Sequence, residues 1–334
     1  MVAPTPTPDD PARELRSLVA TGRFQEAFDR FQGGGAGLAR EPEAALVAAT
    51  AATRLGRYGA AISVAESALA QFHARGDRDG RMRSLNLLGV IAFERGHLDE
   101  AERNLGEALE LARELDDSLM AARASNNLAS LAQLGEKPEV ALSLYRSALV
   151  SYQRLGDRRG MAETHHNLGL VFRQMGRLHD ARETVEQAVR LADGAADGSL
   201  RALTLTGQAE LYLGLGEVAR ARQDATVAQQ LARTTGDEIG AAEAGRLRAL
   251  VELEEGDLDL ALAEAQAARA TAARHGSALL QGESAAAAAR VLRALGRVAE
   301  AEALRAEARG LFERLGAVNW LREFDAAWQG TQEQ

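Results

Sequence analysis

The stretch Gly96-His97-Leu98-Asp99-Glu100-Ala101 belongs to a pattern that repeats along the chain every forty residues. Stepping by forty from Gly96 gives a column of glycines that only Glu136 interrupts: Gly56, Gly96, Gly176, Gly216, Gly256 and Gly296. Five residues after each of these positions, every residue is alanine: Ala61, Ala101, Ala141, Ala181, Ala221, Ala261 and Ala301. Seven residues further on, alanine recurs throughout: Ala68, Ala108, Ala148, Ala188, Ala228, Ala268 and Ala308. Agreement in several columns predicts an array of similar structural units.

The columns indicate that each unit is a pair of helices joined by a tight turn. Glycine ends the first helix because it enters the left-handed conformation without a Cβ clash. Small residues on both helices let their backbones approach closely. A further column can cap the first helix of the next pair by accepting its free N–H groups: Asp77, Asp117, Asp157, Asp197, Asp237 and Ser277. We therefore expect two helices of about 17 residues in each repeat.

The two ends of the chain depart from the period. Residues 1–10 are polar and rich in proline and threonine, which predicts a disordered tail. Residues 11–37 form an atypical first repeat with a glycine-rich joint, and residues 38–315 an array of seven forty-residue repeats. Residues 316–334 are predicted as a capping helix and tail, because helical spacing joins five residues in one apolar stripe: Ala317, Trp320, Leu321, Phe324 and Trp328. The alternative for this stripe is a homo-oligomer contact through its two tryptophans.

Composition excludes several classes of function. The net charge of −9 and the pI near 5.4 disfavour nucleic-acid binding, because the surface as a whole repels phosphate. There are no cysteines, and no apolar run is long enough to span a membrane. The six histidines and the paired carboxylates show no metal-ligand or catalytic spacing. We therefore expect a cytoplasmic protein that is not an enzyme, binds neither membrane nor nucleic acid, and needs no metal or cofactor.

The repeat resembles the tetratricopeptide repeat. The residues Asn167-Leu168-Gly169, followed by Gly176 to Ala181 and then by Ala188, are similar to that family's signature, and so is Asn127-Leu128-Ala129 with Ala141 and Ala148. The resemblance covers residues 12–315, which gives eight helix pairs. The forty-residue period is longer than the standard 34-residue form. It is similar to the variety in spindle-orientation scaffolds, kinesin light chains and bacterial Rap-type peptide receptors.

This resemblance implies an all-α, right-handed superhelical solenoid whose first helices line a concave groove for peptide segments. The candidate peptide-binding residues lie on those first helices, in columns rich in amides and arginines: Arg83, Asn86, Arg123, Asn126, Asn127, Ser130, His166, Asn167 and Arg173. Gly207, Leu247 and Ala287 replace the motif's asparagine in the later repeats. The favoured function is a protein–protein interaction scaffold that binds an extended segment of a partner. The alternatives are a receptor for a small signalling peptide and a self-assembling structural protein.

Overall fold

Helices account for all the secondary-structure elements in the part of the chain that our computed structural model describes, namely residues 11–135, 137–193 and 197–330. In order they are α1 (Pro11–Ala20), α2 (Phe24–Gly33), α3 (Gly35–Ala39), α4 (Pro42–Arg54), α5 (Tyr58–Ala74), α6 (Arg78–Glu94), α7 (Leu98–Glu114), α8 (Ser118–Leu134), α9 (Pro138–Leu155), α10 (Arg158–Gln174), α11 (Leu178–Asp193), α12 (Gly198–Gly214), α13 (Val218–Thr235), α14 (Glu238–Glu255), α15 (Leu258–His275), α16 (Ala278–Ala294), α17 (Val298–Arg314) and α18 (Val318–Gly330). The predicted all-α fold is confirmed. The predicted N-terminal tail, residues 1–10, lies outside the described residues.

The helices form eight antiparallel pairs. Pair 1 consists of the short helices α1 and α2, and α3 connects it to the array. Pairs 2 to 8 run from α4–α5 to α16–α17, and each first helix also contacts the first helix of a neighbouring pair. The structure is therefore the predicted solenoid, ended by the single helix α18.

Glycines in the left-handed conformation make the turns within the pairs. The φ angles of Gly56, Gly96, Gly176, Gly216, Gly256 and Gly296 lie between 68° and 88°. This confirms the predicted role of the glycine column. In pair 4 the interrupting Glu136 lies outside the described residues, and Gly135 has an ordinary φ of −83°.

Aspartates cap the first helices as predicted. Asp77 accepts a hydrogen bond from the backbone N–H of Gly80 at 2.9 Å, and Asp117, Asp157, Asp197 and Asp237 cap in the same way. The prediction for Ser277 was wrong, because its hydroxyl makes no capping bond and instead donates to the Glu94 carboxylate at 3.5 Å. That contact joins pairs 8 and 3.

Alanines and glycines make the close helix contacts. The seven alanines five residues after the glycine column are all completely buried. Gly89 and Gly169 lie directly against Leu105 and Val185 of their partner helices, so a Cβ at either position would clash. The small-residue columns therefore set the separation of the helices within each pair.

The superhelix contacts itself after five pairs. In pair 7, Nδ1 of His275 lies 3.0 Å from the Gly56 carbonyl oxygen in the turn of pair 2. Leu315, at the end of pair 8, packs against Gly96 in the turn of pair 3. Asn319 of α18 donates to the Gln133 carbonyl oxygen of pair 4 at 3.4 Å. Contacts between residues far apart in sequence thus fix the pitch of the solenoid.

Helix α18 caps the array, as the apolar stripe predicts. The Phe324 ring lies edge-on to Phe312 of α17, with ring centroids 6.3 Å apart. Trp328 is 2% exposed, and the guanidinium carbons of Arg293 and Arg305 lie 4.7 and 5.0 Å from its ring centroid. Both tryptophans are thus held within the chain, since half-buried Trp320 donates its indole N–H to Glu283 at 2.9 Å.

Candidate functional site

Two adjoining cavities lie on the concave face of the solenoid. They have volumes of about 500 and 400 Å³ and are lined mainly by the first helices α4, α6, α8, α10 and α12. Thr50, Arg54, Asn126 and Asn127 line both, so the two cavities share a wall. We call the combined space the groove.

Asparagine side chains form a ladder across the floor of the groove. The Asn127 amide on α8 donates to the Asn86 amide oxygen on α6 at 3.1 Å. Buried Asn126 accepts from the Thr164 hydroxyl at 3.0 Å. Asn167, half-buried on α10, makes no side-chain hydrogen bond within the described residues. Its amide can therefore both donate to and accept from a ligand.

The arginines of the groove differ in how their charges are balanced. Arg83 holds the Glu43 carboxylate with two nitrogens and the Asp79 carboxylate at 2.8 Å, so its charge is neutralised locally. Exposed Arg123 forms no ion pair within the described parts of the chain; its nearest polar contact is Met120 Sδ at 3.8 Å. Half-buried Arg54 likewise forms none there. The groove thus presents two guanidinium groups without a bound carboxylate.

Three of the candidate residues face elsewhere. The Ser130 hydroxyl lies 2.9 Å from the Tyr145 hydroxyl, between the helices of its own pair. His166 is buried against Gly207, and burial lowers the pKa of its imidazole to about 4, so the ring is neutral at pH 7. Arg173 pairs with Glu210 at 3.1 Å and Glu323 at 3.0 Å, outside the groove. The other six candidates line the groove together.

An acidic wall of the groove was not predicted from the sequence. Glu94 of α6, Asp237 at the start of α14, and Glu243 within α14 line the second cavity. Burial raises the pKa of Glu243 to about 8, and the negative charges of Glu94 and Asp237 add to this effect. One signal was available, because Glu243 lies in the same forty-residue column as Arg83 and Arg123. The meeting of α6 with α14 depends on the superhelical pitch.

Two classes of site are not found in the described structure. No group of three metal-ligating side chains occurs within residues 11–135, 137–193 and 197–330. Among the described helices, none combines the length and the apolar character that a membrane span requires.

Several known structures share this fold. A Rap protein complexed with Competence and Sporulation Factor is 13% identical, with a TM-score of 0.63 and coverage of 97% of this chain and 96% of the other. The Rap conjugation gene regulator of the plasmid pLS20, in complex with the Phr* peptide, is 18% identical, with a TM-score of 0.68 and coverage of 83% and 75%. Aspartyl phosphate phosphatase F from Bacillus subtilis is 11% identical, with a TM-score of 0.52 and coverage of 93% and 96%. At these identities the likeness concerns the fold alone.

Sequence comparison identifies the family. No curated protein sequence gives a significant match. The tetratricopeptide repeat family profile matches residues 42–114, 120–194 and 160–235, which together make up more than half of the chain. The predicted resemblance is thus confirmed by the sequence, the repeat geometry and the shared fold: the chain belongs to the tetratricopeptide repeat family.

Proposed function

We propose that this protein binds an extended peptide segment of a partner protein in the groove and acts through that binding rather than by catalysis. The observation that carries the proposal is a pair of adjoining cavities with polar groups on their walls that form no hydrogen bond to a carboxylate within the described chain. These groups are the Asn167 amide and the guanidinium groups of Arg54 and Arg123. Burying such groups against a ligand is favourable only where the ligand supplies hydrogen-bond partners, and a peptide backbone does so at every residue.

The spacing of the ladder suits an extended chain. First helices in neighbouring pairs lie about 10 Å apart, and a strand advances about 3.3 Å per residue. Asn127 and Asn167 would therefore meet every third residue of a bound segment. Because an amide both donates and accepts, it can hold the backbone without demanding a particular side chain.

The charges of the groove favour one orientation of the segment. Arg123, which lines the first cavity but not the second, favours an acidic side chain or a carboxylate in the first cavity. In the second cavity, burial raises the pKa of Glu94, Asp237 and Glu243, and a basic side chain placed there would stabilise their ionised forms. A segment with an acidic and a basic residue at its two ends would match both.

A selected peptide makes the proposal testable. Random peptides displayed on phage are selected on the full chain, and the best binder is synthesised and titrated by calorimetry. Replacing both Asn127 and Asn167 with alanine should weaken binding about tenfold or more, because two amide contacts are lost. The matched control is Gln153→Ala, which removes an exposed amide from the outer helix α9. Undiminished affinity in a folded double variant would place the ligand outside the groove.

A specific observation favours a second candidate, a receptor for a small signalling peptide. The contacts of His275 with Gly56 and of Leu315 with Gly96 link pairs that lie five apart, so a ligand that changes the pitch must alter them. Small-angle scattering with and without the selected peptide distinguishes the two functions. A receptor shows a change in the radius of gyration, whereas a static scaffold shows none. Self-assembly, the third alternative, would instead make the mass depend on protein concentration without a ligand.

A further inference from the structure

A third cavity lies on the concave face beyond the groove. It has a volume of about 280 Å³ and is lined by the first helices α10, α12, α14 and α16 together with α17 and α18. Among the described residues, none that lines this cavity also lines the groove. We call it the C-terminal pocket.

Arg246 on α14 is the unusual group in this pocket. The residue is only 8% exposed, yet its guanidinium makes no hydrogen bond within the described chain. Its Nη2 lies 3.8 Å from the Glu210 carboxylate and 3.6 Å from the Glu283 carboxylate, beyond hydrogen-bonding distance. A buried arginine has five N–H donors, and leaving them unbonded is costly. The pocket thus holds a cation placed to receive an acceptor from a ligand.

The pocket also offers carboxylates to a cationic group. Burial raises the pKa of Glu283, and Arg246 only partly offsets this effect. At Glu210 burial also acts to raise the pKa, but Arg173 and Arg246 outweigh it and the pKa lies below its ordinary value. Among the described residues, three arginines and four glutamates line the cavity, so it offers partners to both an anionic and a cationic group of one ligand.

The remaining wall is apolar. Leu213, Leu250 and Trp320 are half-buried there, and Phe312 and Phe324 lie beneath them. A small apolar group placed against these residues would lose its contact with water, which favours binding.

We propose that the C-terminal pocket binds a free α-amino acid with an apolar side chain. Its carboxylate would bond to Arg246, its ammonium group to Glu283 and Glu210, and its side chain would pack between Leu213, Leu250 and Trp320. Typical sites for drug-sized molecules span about 300–1,000 Å³, so this smaller pocket suits a single residue rather than a peptide.

The probes are chosen to separate the two charges. Leucine, methionine and phenylalanine are titrated into the full chain by calorimetry, and thermal melts are recorded in parallel. For leucine, 4-methylpentanoate lacks the ammonium group, isopentylamine lacks the carboxylate, and N-acetyl-leucine represents a peptide C-terminus. We expect at least one amino acid to bind. For leucine, the three analogues should be weaker by about tenfold or more, since each loses one charged contact.

Variants locate the site. Ala286→Trp fills the pocket from α16 and should abolish binding while the melting temperature stays near that of wild type; Ala326→Trp, on the exposed face of α18, is the matched control. Arg246→Gln should abolish binding too, and Ala286→Trp keeps the test decisive if Arg246→Gln is poorly folded. The proposal is overturned if none of the three amino acids binds, if leucine binds and one of its analogues binds equally well, or if Ala286→Trp binds the amino acids normally. Binding of the phage-selected peptide should be unchanged in Ala286→Trp, so the groove and the pocket are tested separately.

Discussion

The first helices in the two halves of the concave face carry different polar side chains. The helices α6, α8 and α10 carry amides, and polar groups such as those of Arg123 and Asn167 remain available to a ligand. The helices α12, α14 and α16 carry charged side chains, and Arg246 lies within 4 Å of Glu210 and Glu283. In the forty-residue column Asn86, Asn126, His166, Thr206, Arg246 and Ala286, the amides end at α8 and a charged arginine follows at α14. One repeat can therefore supply a binding surface at one end of a solenoid and internal links at the other.

The charged half is also the half that closes the superhelix. Arg173 links α10 to α12 through Glu210 and to α18 through Glu323, at 3.1 and 3.0 Å. Asn319, also on α18, connects this helix to α8 by donating a hydrogen bond to a backbone carbonyl oxygen of α8. Buried ion pairs add little to stability when they are intact, but breaking one leaves a charge that is costly to bury. This difference predicts that equivalent substitutions act on stability in one half and on binding in the other.

The largest effect is expected from removing a charge in each half. Arg246→Leu leaves Glu210 and Glu283 without their shared cation and should lower the free energy of unfolding by about 3–5 kcal/mol. Arg123→Leu, the matched change in the amide half, removes an exposed group that forms no ion pair within the described chain. It should change the free energy of unfolding by less than about 0.5 kcal/mol. Urea unfolding at pH 7 measures both. Equal losses in the two variants would remove the distinction between the halves.

The next effect concerns His166, at the boundary between the halves. Burial lowers its folded-state pKa to about 4, although the nearby Glu210 and Glu163 carboxylates act in the opposite direction. The unfolded chain takes up the proton near pH 6.5, so folded-state stability is lost as the pH falls from 6.5 towards 4. The loss amounts to about 3 kcal/mol across that window. His166→Phe keeps a ring against Gly207 without a titrating group, so the urea midpoint should depend less on pH in this variant. The same pH dependence in wild type and in His166→Phe would contradict the conclusion that His166 causes it.

The fold was predictable because it follows from local rules that the sequence repeats. The glycine column, the alanine columns and the capping aspartates each act within one or two neighbouring pairs, and they recur in pair after pair. The amide ladder was predictable for the same reason, since Asn86 and Asn127 lie on adjacent first helices.

The residues that escaped prediction depend on the superhelical pitch. Ser277 bonds to Glu94 rather than capping its helix, and Arg173 bonds to α18 rather than lining the groove. The acidic wall likewise joins α6 to α14. Each of these contacts joins residues far apart in sequence. Whether such residues meet depends on the sum of the small rotations between successive pairs, which no local motif specifies.

The smallest effect is expected within the amide ladder. Asn127→Ala loses the hydrogen bond to Asn86, which contributes about 1 kcal/mol, but alanine regains about 0.5 kcal/mol of helix propensity. The free energy of unfolding should therefore fall by at most about 1 kcal/mol. Asn167→Ala, which breaks no side-chain hydrogen bond within the described chain, should be neutral or slightly stabilising. Thermal melts of both single variants check this, and a severe loss for Asn167→Ala would mean that its amide supports the fold.

The central claim is that one half of the concave face binds the peptide segment and the other half holds the superhelix together. It is tested most directly by titrating the phage-selected peptide, under one set of conditions, into two pairs of single variants. Arg123→Ala and Asn167→Ala alter the amide half, and Arg290→Ala and Glu323→Ala alter the charged half. We predict that Arg123→Ala loses affinity about tenfold and Asn167→Ala about fivefold, each at an unchanged melting temperature. The second pair should keep its affinity and melt earlier. Affinity lost equally in both pairs, or only in the second, would contradict the division.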